Sequence, residues 1–190
     1  DYLEYYSQFP AHNTVCVDGI SAYPVMKSNH AFKLLNCYPQ AGKKVAYQPV
    51  SYSDMLFREP ESQADQNRLM SIVTTSETTG YYVDIFRSKK IEGGDRMHDY
   101  FYHNMGQVMN LTAVDGTDLN LQPTEELAFA GANLYTYSYL FDKKSALTDK
   151  DIRTVFTIRM SDKDDISMNM WMKGEKERKV FTALSPMTEG

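Results

Sequence analysis

The sequence predicts an all-β protein, a large antiparallel β-sandwich of about ten strands with few or no helices. Three observations predict it. Apolar and polar residues alternate with a period of two through much of the chain. Strand-forming runs return at a spacing of roughly ten residues. Between them stand Asp18-Gly19, Gly42-Lys43, Glu77-Thr78-Thr79-Gly80, Glu92-Gly93-Gly94-Asp95 and Asp115-Gly116, with Gly where a tight turn needs positive φ.

Taken in order, the strand runs are 14–17, 44–57, 68–75, 81–87, 107–112, 132–141, 155–160, 166–172 and 180–184. Pro49 interrupts the second run, which marks that part as an edge or a bulge. The cleanest alternation is 166–172: Ile166, Met168, Met170 and Met172 share one face, and Ser167, Asn169 and Trp171 the other. The polar turn Asp162-Lys163-Asp164-Asp165 joins this run to 155–160, and Lys173-Gly174-Glu175 leads on to 180–184. Those three runs read as a meander, with the charged stretch 173–179 as a solvated hairpin tip. Helix formers gather at 62–70, and 147–151 is long enough for one turn, but neither suffices for a structural helix.

Composition narrows the function. A chain of 190 residues, 42% hydrophobic and 24% charged, suits a single globular domain over 1–190 rather than a disordered or repetitive polymer. Twenty Lys and Arg against twenty-five Asp and Glu, with no basic stripe, argue against a nucleic-acid partner. No apolar run approaches the ~20 residues of a spanning helix, so no membrane span is expected. Two cysteines with no C-x-x-C pair make neither a disulfide framework nor a thiolate zinc site. Cys16, between Val15 and Val17, reads as a buried inert thiol, and its pairing with Cys37 is left open. The first residues, Asp1-Tyr2-Leu3-Glu4, show no initiator Met and no targeting signal, which fits a processed leader or a piece of a longer chain.

Candidate chemistry concentrates in a few places. The histidines are His12, His30, His98 and His103. On a strand, His98, Tyr100 and Tyr102 share one face, and Asp99, Phe101 and His103 the other. The two histidines therefore diverge, which argues against a shared metal site there. His98, Tyr100 and His103 are candidates for catalysis or ligand contact; the alternative is buried polar groups satisfying one another. His12-Asn13-Thr14 stands at a strand entrance, where it can cap a loop, bind a metal or hold a carboxylate. Fourteen Tyr, nine Phe and one Trp suit sugar stacking, and Trp171, on the polar face of its strand, either lines a sugar groove or packs under a loop. The alternating methionines read as core filler rather than a copper site. The sequon Asn110-Leu111-Thr112 falls in a strand, and no phosphate loop, nucleophile elbow or H-E-x-x-H motif is present.

Several stretches, in order, resemble the heparinase II/III-like polysaccharide lyases. Ala11-His12-Asn13-Thr14-Val15-Cys16-Val17-Asp18-Gly19 is similar to their "AHNTVVVDG" segment. Tyr81-Tyr82-Val83-Asp84-Ile85-Phe86-Arg87 followed by His98-Asp99-Tyr100 resembles their later "D-x-F-R … H-D-Y" strand pair. The tail, from Ser138-Tyr139-Leu140-Phe141 through Met170-Trp171-Met172 to Ser185-Pro186, looks like their closing strands. The resemblance implies a supersandwich-like β-domain that follows an N-terminal helical toroid, with the active site in the cleft between them. It implies β-elimination at a uronic acid: a base removes the C5 proton, a Tyr or His helps the 4-oxygen leave, and the carboxylate is neutralised.

It also implies zinc in some members, held by a pair of His and an Asp, one of which lands on His12. The other ligands belong to strands expected before this chain, so this chain alone is expected to hold no zinc tightly. A Tyr found in alginate-lyase relatives upstream of an Arg resembling Arg68 is Glu61 here and does not carry over. The resemblance thus implies the C-terminal sandwich of a secreted or periplasmic bacterial lyase. Its partners are an acidic polysaccharide and the protein's own toroid, and the chain by itself is inactive. Asn13, Arg87 and Trp171 are the substrate-binding candidates, and Arg87, Lys89, Lys90 and Arg96 are cations that can meet a polyanionic chain. A non-catalytic carbohydrate-binding or cell-surface module is the alternative, and a purely structural or adhesive domain is a third reading.

Overall fold

The structure, a computed structural model, describes residues 2–20, 32–94, 97–127 and 135–187. His30, Arg96 and the first part of the expected strand 132–141 lie outside them. The described residues are all-β: twelve strands in four antiparallel sheets, joined by single helical turns at Tyr2–Tyr6, Phe9–Ala11 and Thr136–Tyr139. The chain divides into two compact units, Val15–Tyr100 and the pair of segments Asp1–Thr14 and Phe101–Gly190.

In the unit Val15–Tyr100, strand β1 (Val15–Val17) ends in a turn in which Asp18 and Gly19 both take positive φ, 58° and 69°, and Ile20 N–H closes on the Val17 carbonyl at 3.1 Å. A tight turn of this hand is why Asp-Gly stands there. Strands β2 (Lys33–Tyr38), β3 (Val50–Glu59), β4 (Ala64–Thr74) and β5 (Gly80–Lys90) form a four-stranded sheet in chain order. Strand β6 (His98–Tyr100) returns to pair with β1, Val15 opposite Tyr100 and Val17 opposite His98. This two-stranded ribbon covers the Ala64–Gln66 end of the sheet. Val15, Val17 and Ala64 form its buried core, with Phe86 and Tyr100 packed on them, and Gln66 Nε2 donates to the Val15 carbonyl at 3.0 Å.

One expectation changes here, and the weak helix signal at 62–70 forms no helix, as expected. Pro49 lies just before β3 rather than within it, and its carbonyl accepts Thr74 N–H at 2.7 Å, so β3 runs as an interior strand. The sheet's irregularity falls instead within β2, between Leu34 and Asn36. The helix formers at 62–70 are a turn and a strand. Buried Glu59 accepts Glu61 N–H at 2.9 Å and Ser62 N–H at 2.6 Å, which folds the chain back, and β4 then gains partners on both sides. Two full ladders outweigh a weak helical propensity.

In the other unit, β7 (Val108–Ala113), β10 (Ile152–Ile158) and β11 (Ile166–Met172) form one sheet, with β10 central. Strands β8 (Gln122–Pro123), β9 (Phe141–Leu147) and β12 (Lys179–Leu184) form another, with β9 central. Ile152, Thr154 and Phe156 alternate into the interior from β10, as the period of two requires. The 155–160 and 166–172 runs do form a hairpin across their Asp-rich turn, but β12 leaves it and joins β9.

The charged side chains of the connection are largely exposed, as expected, but its backbone is pinned. Asp151 accepts Gly174 N–H at 2.7 Å, and Arg178 donates to the carbonyls of Lys150 and Lys173. A Cβ at Gly174 would run into the Asp149 carbonyl oxygen, so only glycine lets the chain cross here. In the described part of the expected strand 132–141, a turn at Thr136–Tyr139 buries Thr136 and Tyr137 and is followed by β9. Tyr135 and Tyr139 stack edge-on at 6.0 Å, a spacing of four residues that only a coiled backbone brings together. Both cysteines are thiols, with Cys16 buried and Cys37 partly so, and no disulfide joins them.

Candidate functional site

The period of two that builds β5 places Asp84, Phe86 and Ser88 on one face, next to Arg68 of β4, and the β6 ribbon lays His98 and Tyr100 over that face. The result is a connected polar cluster. Arg68 grips Asp84 with two hydrogen bonds, Nε to Oδ1 at 2.9 Å and Nη2 to Oδ2 at 2.6 Å. Tyr100 donates its hydroxyl to the same Oδ2 at 3.2 Å. His98 Nδ1 shares a hydrogen bond with Ser88 Oγ at 2.8 Å. The guanidinium carbon of Arg68 lies 5.2 Å from the centre of the Phe86 ring, which is itself packed on Tyr100.

The electrostatics follow from that geometry. The hydrogen bond to Asp84 raises the Arg68 pKa, with partial desolvation opposing it and Tyr100 adding to it. The side chains of Arg68 and Asp84 are about three-quarters buried, so the pair is screened less than a surface ion pair. Asp84 thus holds the Tyr100 hydroxyl and the Arg68 guanidinium side by side, a phenol O–H next to a cation.

The other sequence candidates fall elsewhere. His103 lies beyond the end of β6, in the unit with Phe101–Gly190. Its Nε2 bonds the Pro10 carbonyl at 2.6 Å, and its backbone pairs with the Asn13 side chain, N–H to Oδ1 at 2.6 Å and carbonyl from Nδ2 at 3.3 Å. Burial pushes the His103 pKa down, the Pro10 bond opposes this, and nearby His12 adds to it. Asn13 thus acts as one rung of a ladder. His12 is exposed. Among the described residues no three His, Cys, Asp or Glu side chains come together as a metal requires, so the donors present do not by themselves fit a zinc centre.

The expected row of cations divides between the two faces of the sheet. Lys90 pairs with Asp18 on the ribbon side, while Arg87 and Lys89 point to the opposite face, Arg87 bonding Asn67 Oδ1 at 3.2 Å. Trp171 is 62% exposed on β11 beside Arg153. A cavity of about 440 Å³ lined by Glu125, Asp142 and Lys143, among others, carries more negative than positive charge, the wrong sign for an acidic chain.

No family model and no solved structure matches the chain. The chain is 30% identical, across 97% of its length, to the endo-acting ulvan lyase of Formosa agariphila. That relative is a polysaccharide lyase. The chain spans 24% of the relative's own length, about a quarter of it. The similarity ties this chain to a polysaccharide lyase at the level of one domain, and it carries no assignment to the heparinase II/III-like family.

Sequence reasoning picked out Tyr100 and His98 but not their partners Arg68, Asp84 and Ser88. The signal available was the shared parity of Asp84, Phe86 and Ser88 on one strand and of His98 and Tyr100 on another. Which strand lies over which is set by the β1–β6 pairing, across more than eighty residues of sequence.

Proposed function

We propose that this chain is a β-domain of a polysaccharide lyase of the heparinase II/III-like type, helping to form the cleft where an acidic polysaccharide is cut by β-elimination. The observation that carries this reading is the similarity to the endo-acting ulvan lyase along nearly the whole chain. The Arg68–Asp84–Tyr100 cluster supports it, because elimination at a uronic acid needs a proton donor for the departing 4-oxygen and a cation for the carboxylate. In this reading Tyr100 supplies the proton and Arg68 the positive charge, while the base that takes the C5 proton is contributed from outside the cluster. Zinc, where the intact protein holds it, uses His12 with ligands from elsewhere in that protein. Export from the cytoplasm, to the periplasm or beyond, belongs to the same reading, since the polymer is too large to enter the cell.

The test is an elimination assay. The longer protein and the 190-residue chain are each incubated with ulvan, alginate and heparan sulfate, and the ultraviolet absorbance of the unsaturated product is followed. The longer protein is expected to release product from one of these polymers, and the chain alone to release none. Absence of unsaturated product from all of them with the longer protein would refute the reading.

A further inference from the structure

We propose that the solvent face of the β7–β10–β11 sheet is a binding platform for an acidic pyranose, with Trp171 as the stacking surface and Arg153 as the ligand of the sugar carboxylate. The proposal takes its ligand class from the polysaccharide-lyase reading but rests on residues separate from the Tyr100 cluster.

Register builds the platform. Thr112, Arg153 and Trp171 stand side by side across the three strands, and Asn110, Val155 and Asn169 form the next rung. Alternation puts all six on the face opposite buried Ile152, Thr154 and Phe156. Trp171 is the largest of these six side chains and keeps 62% of its surface accessible. Arg153 lies with its guanidinium carbon 5.8 Å from the indole centre, and its Nε and Nη2 both donate to Asn169 Oδ1, at 3.1 and 2.6 Å. These contacts fix the guanidinium beside the ring.

Charge then selects the occupant. Arg58, Arg68, Lys90, Lys150, Lys173 and Lys179 each meet a carboxylate. Arg153 instead meets an amide oxygen and a ring face, both neutral, and forms no ion pair among the described residues. A neutral sugar would use the indole and leave the guanidinium idle. A small inorganic anion would do the reverse. A pyranose bearing a carboxylate uses both, its C–H face on the ring and its carboxylate on the fork of Arg153.

Trp171 is the sole tryptophan of the chain, so its fluorescence reports directly on the platform. The 190-residue chain is titrated with alginate and ulvan oligosaccharides of defined length and, in parallel, with a neutral gluco-oligosaccharide. The expected result is a saturable change in emission with an acidic oligosaccharide. Arg153→Gln should weaken that binding at least about tenfold and abolish the preference for acid over neutral sugar, with Arg153→Lys intermediate. Calorimetry with Trp171→Ala should show loss of binding, and matched circular dichroism spectra establish that each variant is folded. No saturable response to either acidic oligosaccharide, or acidic binding undiminished in Arg153→Gln, would overturn the platform. Elimination by the longer protein without such binding would remove this proposal alone. Arg153-dependent binding without elimination would remove the lyase reading and leave the platform standing.

Discussion

Tyr100 and Arg68, from different sheets, meet on one oxygen: Oδ2 of Asp84 accepts the phenol at 3.2 Å and the guanidinium at 2.6 Å. The carboxylate thereby orients an acid and a cation with a single group. It also ties the β1–β6 ribbon to β5 at the place where the ribbon's apolar core ends.

Replacing Tyr100 with Phe removes the donated hydrogen and leaves the ring on Phe86. If Tyr100 protonates the leaving oxygen, kcat of the longer protein on its polymer should fall by about 100-fold or more, with KM little changed. Unfolding stability should move by no more than about 1 kcal/mol, because the hydroxyl's contacts are partly exposed. Steady-state kinetics and urea titration measure the two separately. Undiminished kcat would assign Tyr100 to structure alone.

Asp84→Asn leaves the largely buried Arg68 cation over Phe86 without its counter-charge. The expected cost is about 1–2 kcal/mol, between that of an exposed pair and that of a fully buried one. A shift of the urea midpoint at unchanged m-value measures it. No shift would show that the pair breaks even against solvation.

The Asp151 corner predicts a response to acid. The backbone N–H of Gly174, and secondarily Lys173, hold the Asp151 carboxyl below its ordinary value. A carboxylate with a lowered folded-state pKa contributes stability above its unfolded value, about 4, and loses it as the pH falls through the lowered one. Melting temperature followed from neutral pH into that range should drop, and Asp151→Asn should flatten part of the slope. Identical slopes for the two proteins would mean that Asp151 contributes nothing to acid sensitivity.

Gly174→Ala is predicted to be among the more damaging single-methyl changes in the chain. The new Cβ meets backbone rather than a mobile side chain, so strain of about 1–3 kcal/mol is expected. Thermal unfolding checks it against Gly42→Ala. Gly42 has open space around the would-be Cβ and only its positive φ to resist the change.

The all-β class and most strand positions were legible in the sequence, because alternation and turn glycines are local signals. The run 166–172 appears in the structure as Ile166–Met172, with its methionines and Trp171 on the faces that alternation assigned. Of the inferences about neighbours, the hairpin of 155–160 with 166–172 holds, while others fail. Strand 180–184 was read as the third arm of a meander, yet it pairs with β9, because Asp151 and Arg178 redirect the chain at Gly174. The tyrosines at 135–139 alternate as a strand does, yet they coil in a turn that buries Thr136 and Tyr137. The candidate site divides the same way. Tyr100 and His98 stood out by residue type, while Arg68 and Asp84 are unremarkable charges until β6 is laid over them.

By itself the sequence determined which residues share a face, since side-chain parity along a strand is fixed by backbone geometry. Only the tertiary structure decided which faces meet. Pairing between strands distant in sequence depends on ladder partners, buried side chains and hydrogen bonds at the turns that no local window contains. Tyr100 could be named from the chain, but its hydrogen bond to Asp84 exists because Val15 pairs with Tyr100 and carries it across the sheet.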